Sequence, residues 1–203
     1  DEADEMLTMG FQKDVETIFG YPKGSYNTWM FSATMSKEVK QLISSYMVED
    51  HGFVQIDKKV LLNPDIEHQF LITTIEDKVR MLTEFIRSQG SARGVVFCKT
   101  KAGAQKLAKQ IASKNFESDA IHGDLSQKER DKVMRAFKNK KLHVLVATDV
   151  AARGIDVDNL SYVIHFQLPE QLENYTHRSG RTGRAGKRGI SIVLVLKNEI
   201  GTI

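Results

Sequence analysis

Residues 94–124 read GVVFCKTKAGAQKLAKQIASKNFESDAIHGD, and this stretch decides the fold. An apolar run of strand length at 94–98 gives way to a segment in which Ala104, Leu107, Ala108 and Ile111 recur at helical spacing. A second strand-length run follows at 118–122. Residues three and four apart share one helix face, whereas a short unbroken apolar run suits a strand buried on both faces. Strand, helix, strand in this order is a βαβ unit, with two parallel strands and a helix across them.

Outward from this unit the rhythm repeats. Further strands are expected at 28–33, 53–56, 68–72, 143–147, 162–166 and 190–195. A helix between the strands places Val79, Leu82, Phe85 and Ile86 on one face. The expected class is α/β, a parallel sheet with helices on both faces. The pattern breaks at residues 57–65, where Lys58, Lys59, Asn63 and Pro64 interrupt it, and this segment reads as an interdomain linker. Six strand candidates follow the linker and two precede it. Residues 66–203 are therefore expected to form one complete domain, and residues 1–56 part of another. No internal repeat or low-complexity tract interrupts either part.

Composition agrees with a packed soluble protein: of 203 residues, 41% are hydrophobic and 27% charged. A net charge of +3 permits a polyanionic partner without demanding one. The single cysteine, Cys98, lies inside an apolar run and reads as a small buried hydrophobe, so neither a disulfide framework nor a cysteine metal site is expected. The start is acidic and no apolar run approaches ~18 residues, which argues against a signal peptide or membrane anchor. An intracellular, cytoplasmic setting without a membrane partner is expected.

Four short stretches carry chemistry. Asp1, Glu2 and Asp4 open the chain before a helical segment. Acids there favour a helix N-terminus, or one holds Mg²⁺ while its neighbour aligns an attacking water. Ser32 and Thr34 follow an apolar run and precede a helix opened by Ser36; they read as a turn and cap, or as hydroxyls that relay a nucleotide state. Residues 147–156, ATDVAARGID, leave a strand. In that loop Thr148, Arg153 and the amides near Gly154 suit a phosphate oxygen, and Asp156 suits a ribose hydroxyl. Loops at the carboxyl ends of parallel strands are where ligands bind. The strongest signal is residues 177–186, HRSGRTGRAG, in which glycines interleave the arginines. Arg181 and Arg184 are three apart, so on a helical turn both guanidinium groups reach one side and can clamp a phosphoryl group in transfer.

In this order the stretches at 1–4, 32–34, 148–156 and 177–184 resemble the DEAD-box family of RNA helicases, over nearly the whole chain. The resemblance implies two RecA-like domains joined by a flexible linker, with ATP and RNA held between them and ATP-driven closure that bends one RNA strand. It implies that Asp1 holds Mg²⁺ through water, that Glu2 activates the attacking water, and that Arg181 and Arg184 meet the γ-phosphate. Asp4, Ser32, Thr34 and His177 then couple the domains, and Asp156 reaches the ribose. The run 97–100 and the pair His122 and Gly123, with Gln127 and Arg130, resemble further family motifs, which assigns the RNA backbone to Thr100, Gly123, Arg130, Thr148 and Arg153.

One family feature is missing. A phosphate-cradling loop reads Gly, four residues, Gly, Lys, then Ser or Thr. Here the single Gly-Lys pair is Gly186 and Lys187, with Arg181 in place of the opening glycine and Arg188 in place of the hydroxyl. The chain is therefore expected to be a fragment, inactive alone, of an ATP-dependent RNA helicase. The competing readings are an RNA- or partner-binding module without catalysis, and an enzyme acting on DNA.

Overall fold

The computed structural model describes residues 1–24, 26–55, 63–152, 160–169, 172–184 and 186–202. The chain divides into two compact units, Asp1–Asp57 and Lys58–Ile203.

The first unit is helical: α1 (Ala3–Thr8), α2 (Gln12–Phe19) and α3 (Lys37–Tyr46). Ser36 starts α3 by accepting a hydrogen bond from the Val39 amide at 3.3 Å. Its small core contains Ala3, Val15, Val39 and Leu42, and the Phe19 and Tyr46 rings stack 4.5 Å apart. The strands expected at 28–33 and 53–56 are not formed among the described residues of those stretches. Their apolar pattern marks surface that seeks cover, but a strand exists only as a ladder with a neighbour. Among the described residues, this stretch is tied to the start of α1 by a bond from the Ala3 amide to the Phe31 carbonyl at 3.1 Å.

The second unit is built on six parallel strands: β1 (Ile66–Thr73), β2 (Gly94–Phe97), β3 (Ser118–Ile121), β4 (Val144–Ala147), β5 (Tyr162–His165) and β6 (Gly189–Leu196). All six strands expected after residue 65 are present. They lie in the order β1-β6-β5-β2-β4-β3. Helices α4 (Lys78–Ser88), α5 (Lys101–Ala112), α6 (Gln127–Lys138), α7 (Asp149–Ala152) and α8 (Leu172–Ser179) connect them, and a 3-10 turn, Lys197–Thr202, follows β6.

The order of strands explains the layers. From β2 the chain moves outward to β3 and then back inward to β4, so right-handed crossovers put α5 and α6 on opposite faces. Val96, Val146 and Ile164 accordingly pack with Leu82, Leu107 and Ile111 on one face, while Val95, Leu145 and Val163 pack with Val133 and Phe137 on the other. After β4 the chain crosses to the far side of β2 to make β5. Helix α5 after β2 and helix α7 after β4 thus lie on opposite faces, and a crevice opens beyond the carboxyl ends of these neighbouring strands, where ligands of open α/β sheets bind.

Candidate functional site

In the first unit Asp4 is the hub of a small polar cluster. Its Oδ2 accepts from the Thr34 amide at 2.7 Å and from the Thr34 hydroxyl at 2.6 Å. The Asp4 amide donates to Ser32 Oγ at 3.1 Å, and that hydroxyl donates to the Thr34 carbonyl at 2.8 Å. Partial burial works to raise the Asp4 pKa, but the hydrogen bonds from Thr34, Ser32 and Ala33 together outweigh it and hold the carboxyl below its usual value. Three residues expected to act together are thus bonded to one another. Asp1 and Glu2 are exposed, and Asp1 Oδ1 accepts from the Glu2 amide at 2.9 Å. Glu2 has φ 53°, a left-handed conformation that costs energy in a residue with a Cβ and gathers at functional sites.

In the second unit, register places three of the expected RNA-contacting residues, Thr100, Gly123 and Thr148, at one end of the sheet. Phe97, Ala147 and Ile121 are aligned across β2, β4 and β3. Thr100, Thr148 and Gly123 follow them by three, one and two residues. Thr100 Oγ1 caps α5 by accepting from the Gly103 amide at 3.0 Å. Gly123 is exposed, and a Cβ there would make ordinary contact with Lys101 at 3.5 Å, so packing alone does not require glycine. Thr148 is buried, and Arg130 reaches from α6 to the Ala151 carbonyl of α7 at 3.4 Å. Arg153 and Asp156 lie outside the described residues.

The basic segment departs from its expected geometry. Helix α8 ends at Ser179, and Gly183 adopts φ +65°, so Arg181 and Arg184 do not share a helical face. Gly180 carries the first change of direction: the Arg181 and Thr182 amides close tight turns onto the Arg178 and Ser179 carbonyls, both at 3.1 Å. Arg184 is exposed and its Nε donates to the Gly180 carbonyl at 2.7 Å. Thr182 Oγ1 donates to the Leu160 carbonyl. His177 is exposed on α8.

Arg178 instead turns inward. Its side chain is 4% exposed, and Nε and Nη2 grip the two Asp149 oxygens at 2.5 and 2.6 Å. The guanidinium lies over the Phe97 ring at 5.2 Å. A buried guanidinium needs a carboxylate, and Asp149, itself 32% exposed, supplies it from the edge of solvent. The pair ties the last turn of α8 to the start of α7, next to Thr148. Behind it, fully buried His165 meets Ser179 and Ser191, both at 3.2 Å from Nε2, and stacks on Tyr175 at 4.7 Å. Sequence reasoning missed Asp149, Arg178 and His165 as a group. The available signal was an arginine beside the functional pair with no acid near it in sequence.

Among the described residues no three His, Cys, Asp or Glu side chains form a cluster that could hold a metal ion. Among the described residues no helix is long and apolar enough to cross a membrane.

Comparison with known proteins adds three findings. Residues 77–186 match the family model described as the helicase conserved C-terminal domain, and residues 1–42 match that of the DEAD/DEAH box helicases. The chain is 40% identical, over 98% of its length and 40% of the relative's, to a DEAD-box ATP-dependent RNA helicase RhpA of Helicobacter pylori. It thus spans about two fifths of that relative. Among solved structures, a DEAD box protein from Methanococcus jannaschii is 43% identical with TM-score 0.65, over 99% of this chain and 54% of that one. Dbp5 of S. cerevisiae, solved with RNA and ADP BeF3, is 29% identical with TM-score 0.83, over 97% of this chain and 52% of that one.

Proposed function

Because the chain belongs to the DEAD-box family of RNA helicases, we propose that it carries part of an RNA-dependent ATPase that locally unwinds or remodels RNA duplexes. Residues 1–56 serve as the C-terminal part of a first RecA-like domain, 57–65 as the linker, and 66–203 as the second RecA-like domain. The observation that carries the reading is the Arg178–Asp149 pair, which joins the turn bearing Arg181 and Arg184 to the helix that follows Thr148. It links the segment assigned to phosphate with the segment that follows Thr148, which is assigned to RNA.

In this reading Thr100, Gly123, Arg130, Thr148 and Arg153 grip the RNA backbone, which carries no sequence information. Asp156 meets the ribose of ATP. Arg181 and Arg184 meet the equatorial oxygens of the γ-phosphate, whose charge a planar guanidinium neutralises two oxygens at a time. Asp4, Ser32, Thr34 and His177 relay the nucleotide state between the two domains. Glu2 orients the attacking water. Asp1 is exposed with Oδ1 on the Glu2 amide, a donor set that suits Mg²⁺ held through water while phosphates supply other ligands. The cation, when bound, neutralises charge on the phosphate oxygens.

The test is RNA-stimulated ATP hydrolysis by the full natural protein and its Arg181→Lys and Arg184→Lys variants. Each variant is expected to lose at least about a hundredfold in rate, somewhat less than full removal of an arginine finger. Near-parental turnover in either, with an unchanged melting curve, would remove that arginine from the reaction. Absence of ATP turnover in the natural protein itself would favour an RNA-binding module.

A further inference from the structure

The segment entering β1 is fastened to the arginine-bearing turn by a side chain that the proposed function does not use. Asn63 Nδ2 donates to the Gly183 carbonyl at 2.9 Å, across 120 residues of sequence. Its Oδ1 accepts from the Asp65 amide at 2.9 Å, and its carbonyl accepts from the Ile66 amide at 3.0 Å. Both ends of one carboxamide are therefore engaged. The oxygen closes a local turn ahead of β1, and the nitrogen reaches the loop between Arg181 and Arg184.

The surroundings make this contact a close fit. The Gly189 amide donates to the Asp65 carbonyl at 2.9 Å, and a Cβ on Gly183 would lie 2.4 Å from Ile66 Cγ1. Gly183 holds a left-handed φ of +65°, so the chain reverses there. Its carbonyl belongs to the peptide unit that joins it to Arg184. Peptide units are planar, so fixing that oxygen also fixes the direction in which Arg184 leaves the turn. Two further bonds of the turn, from Thr182 Oγ1 to the Leu160 carbonyl and from Arg184 Nε to the Gly180 carbonyl, are made by side chains, whereas Asn63 holds a backbone oxygen.

We propose that Asn63 is a positioning residue for the reaction: it orients the 183–184 peptide and thereby the Arg184 guanidinium. The inference rests on the ATPase reading above. A plain structural role would need only the oxygen of Asn63, which closes the turn before β1. The positioning role needs the nitrogen.

Asn63→Asp keeps an acceptor for the Asp65 amide and loses the donor to Gly183, whereas Asn63→Ala loses both. In the full natural protein both variants are expected to lower kcat for RNA-stimulated ATP hydrolysis by about tenfold or more, since a misplacement of about 1 Å at a reacting group costs up to about a hundredfold. KM for ATP, RNA affinity and the melting temperature of Asn63→Asp should stay at parental values, and amide exchange at 183–184 should quicken. Parental kcat in Asn63→Asp overturns the proposal, even if Asn63→Ala fails to fold. A fall in kcat matched by losses of melting temperature and RNA affinity marks a merely structural side chain and overturns it as well. If the natural protein shows no RNA-stimulated turnover, the ATPase reading itself fails, and this inference with it.

Discussion

His165 shows what enclosure does to a titratable group in this sheet. Burial first, then the charges of Arg178 and His68, push its pKa down to about 3 from 6.5. The folded protein thus keeps this imidazole neutral where the unfolded chain would protonate it. Stability from His165 is fully present above about pH 6.5 and is lost as pH falls from there toward 3, with a slope of up to about 1.4 kcal/mol per pH unit. His68, beside the Tyr175 hydroxyl at 2.5 Å, is lowered by burial and acts in the same sense. Urea unfolding between pH 7.5 and 4 should show the decline for the second unit, and His165→Gln should make it shallower. Equal slopes in the two proteins would move the acid sensitivity elsewhere. Nearby Cys98 is pushed up to about 12, chiefly by burial, so its thiol is inert at neutral pH.

Helix α6 shows how far local sequence reaches. Ser126 Oγ accepts from the Glu129 amide at 3.4 Å while Glu129 accepts from the Ser126 amide at 2.8 Å, a reciprocal cap. Ser126→Ala should cost about 1 kcal/mol in denaturant unfolding, and a loss below about 0.3 kcal/mol would mean that the cap adds little to the folded state. The elements of the second unit were legible for the same local reason. Runs such as 94–98 and 144–147 are apolar without break, as strands buried on both faces must be, and the periodic apolar faces of α4 and α5 follow directly. Residues 28–33 carry a similar apolar signal yet make no ladder, because a pairing partner is not local information. The site follows the same division. Of the four residues that the family resemblance groups, Asp4, Ser32, Thr34 and His177, the first three are joined by bonds. The inward turn of Arg178 toward Asp149, 29 residues away, was not, nor was the end of α8 before Arg181. Both depend on what the sheet brings alongside.

At the scale of the molecule the two units differ in how much apolar surface they enclose. The first leaves Trp29 79% and Val54 91% exposed around a few buried side chains, whereas the second has a continuous core on each face of its sheet. Local opening costs little where few buried contacts must be broken. In the 203-residue chain, amides of the first unit should therefore exchange much faster than those of β2, β4 and β5. Equal protection in a dilute monomer would contradict this account of its packing. The two long strands add a property of another kind. β1 and β6 are parallel neighbours paired over eight positions, and the chain enters β1 at Ile66 and leaves β6 at Leu196. Those points lie at opposite ends of the pair. Tension between them pulls the strands past one another and loads all eight positions at once, where a hairpin would unzip one position at a time. The second unit is therefore mechanically stiff along its own chain.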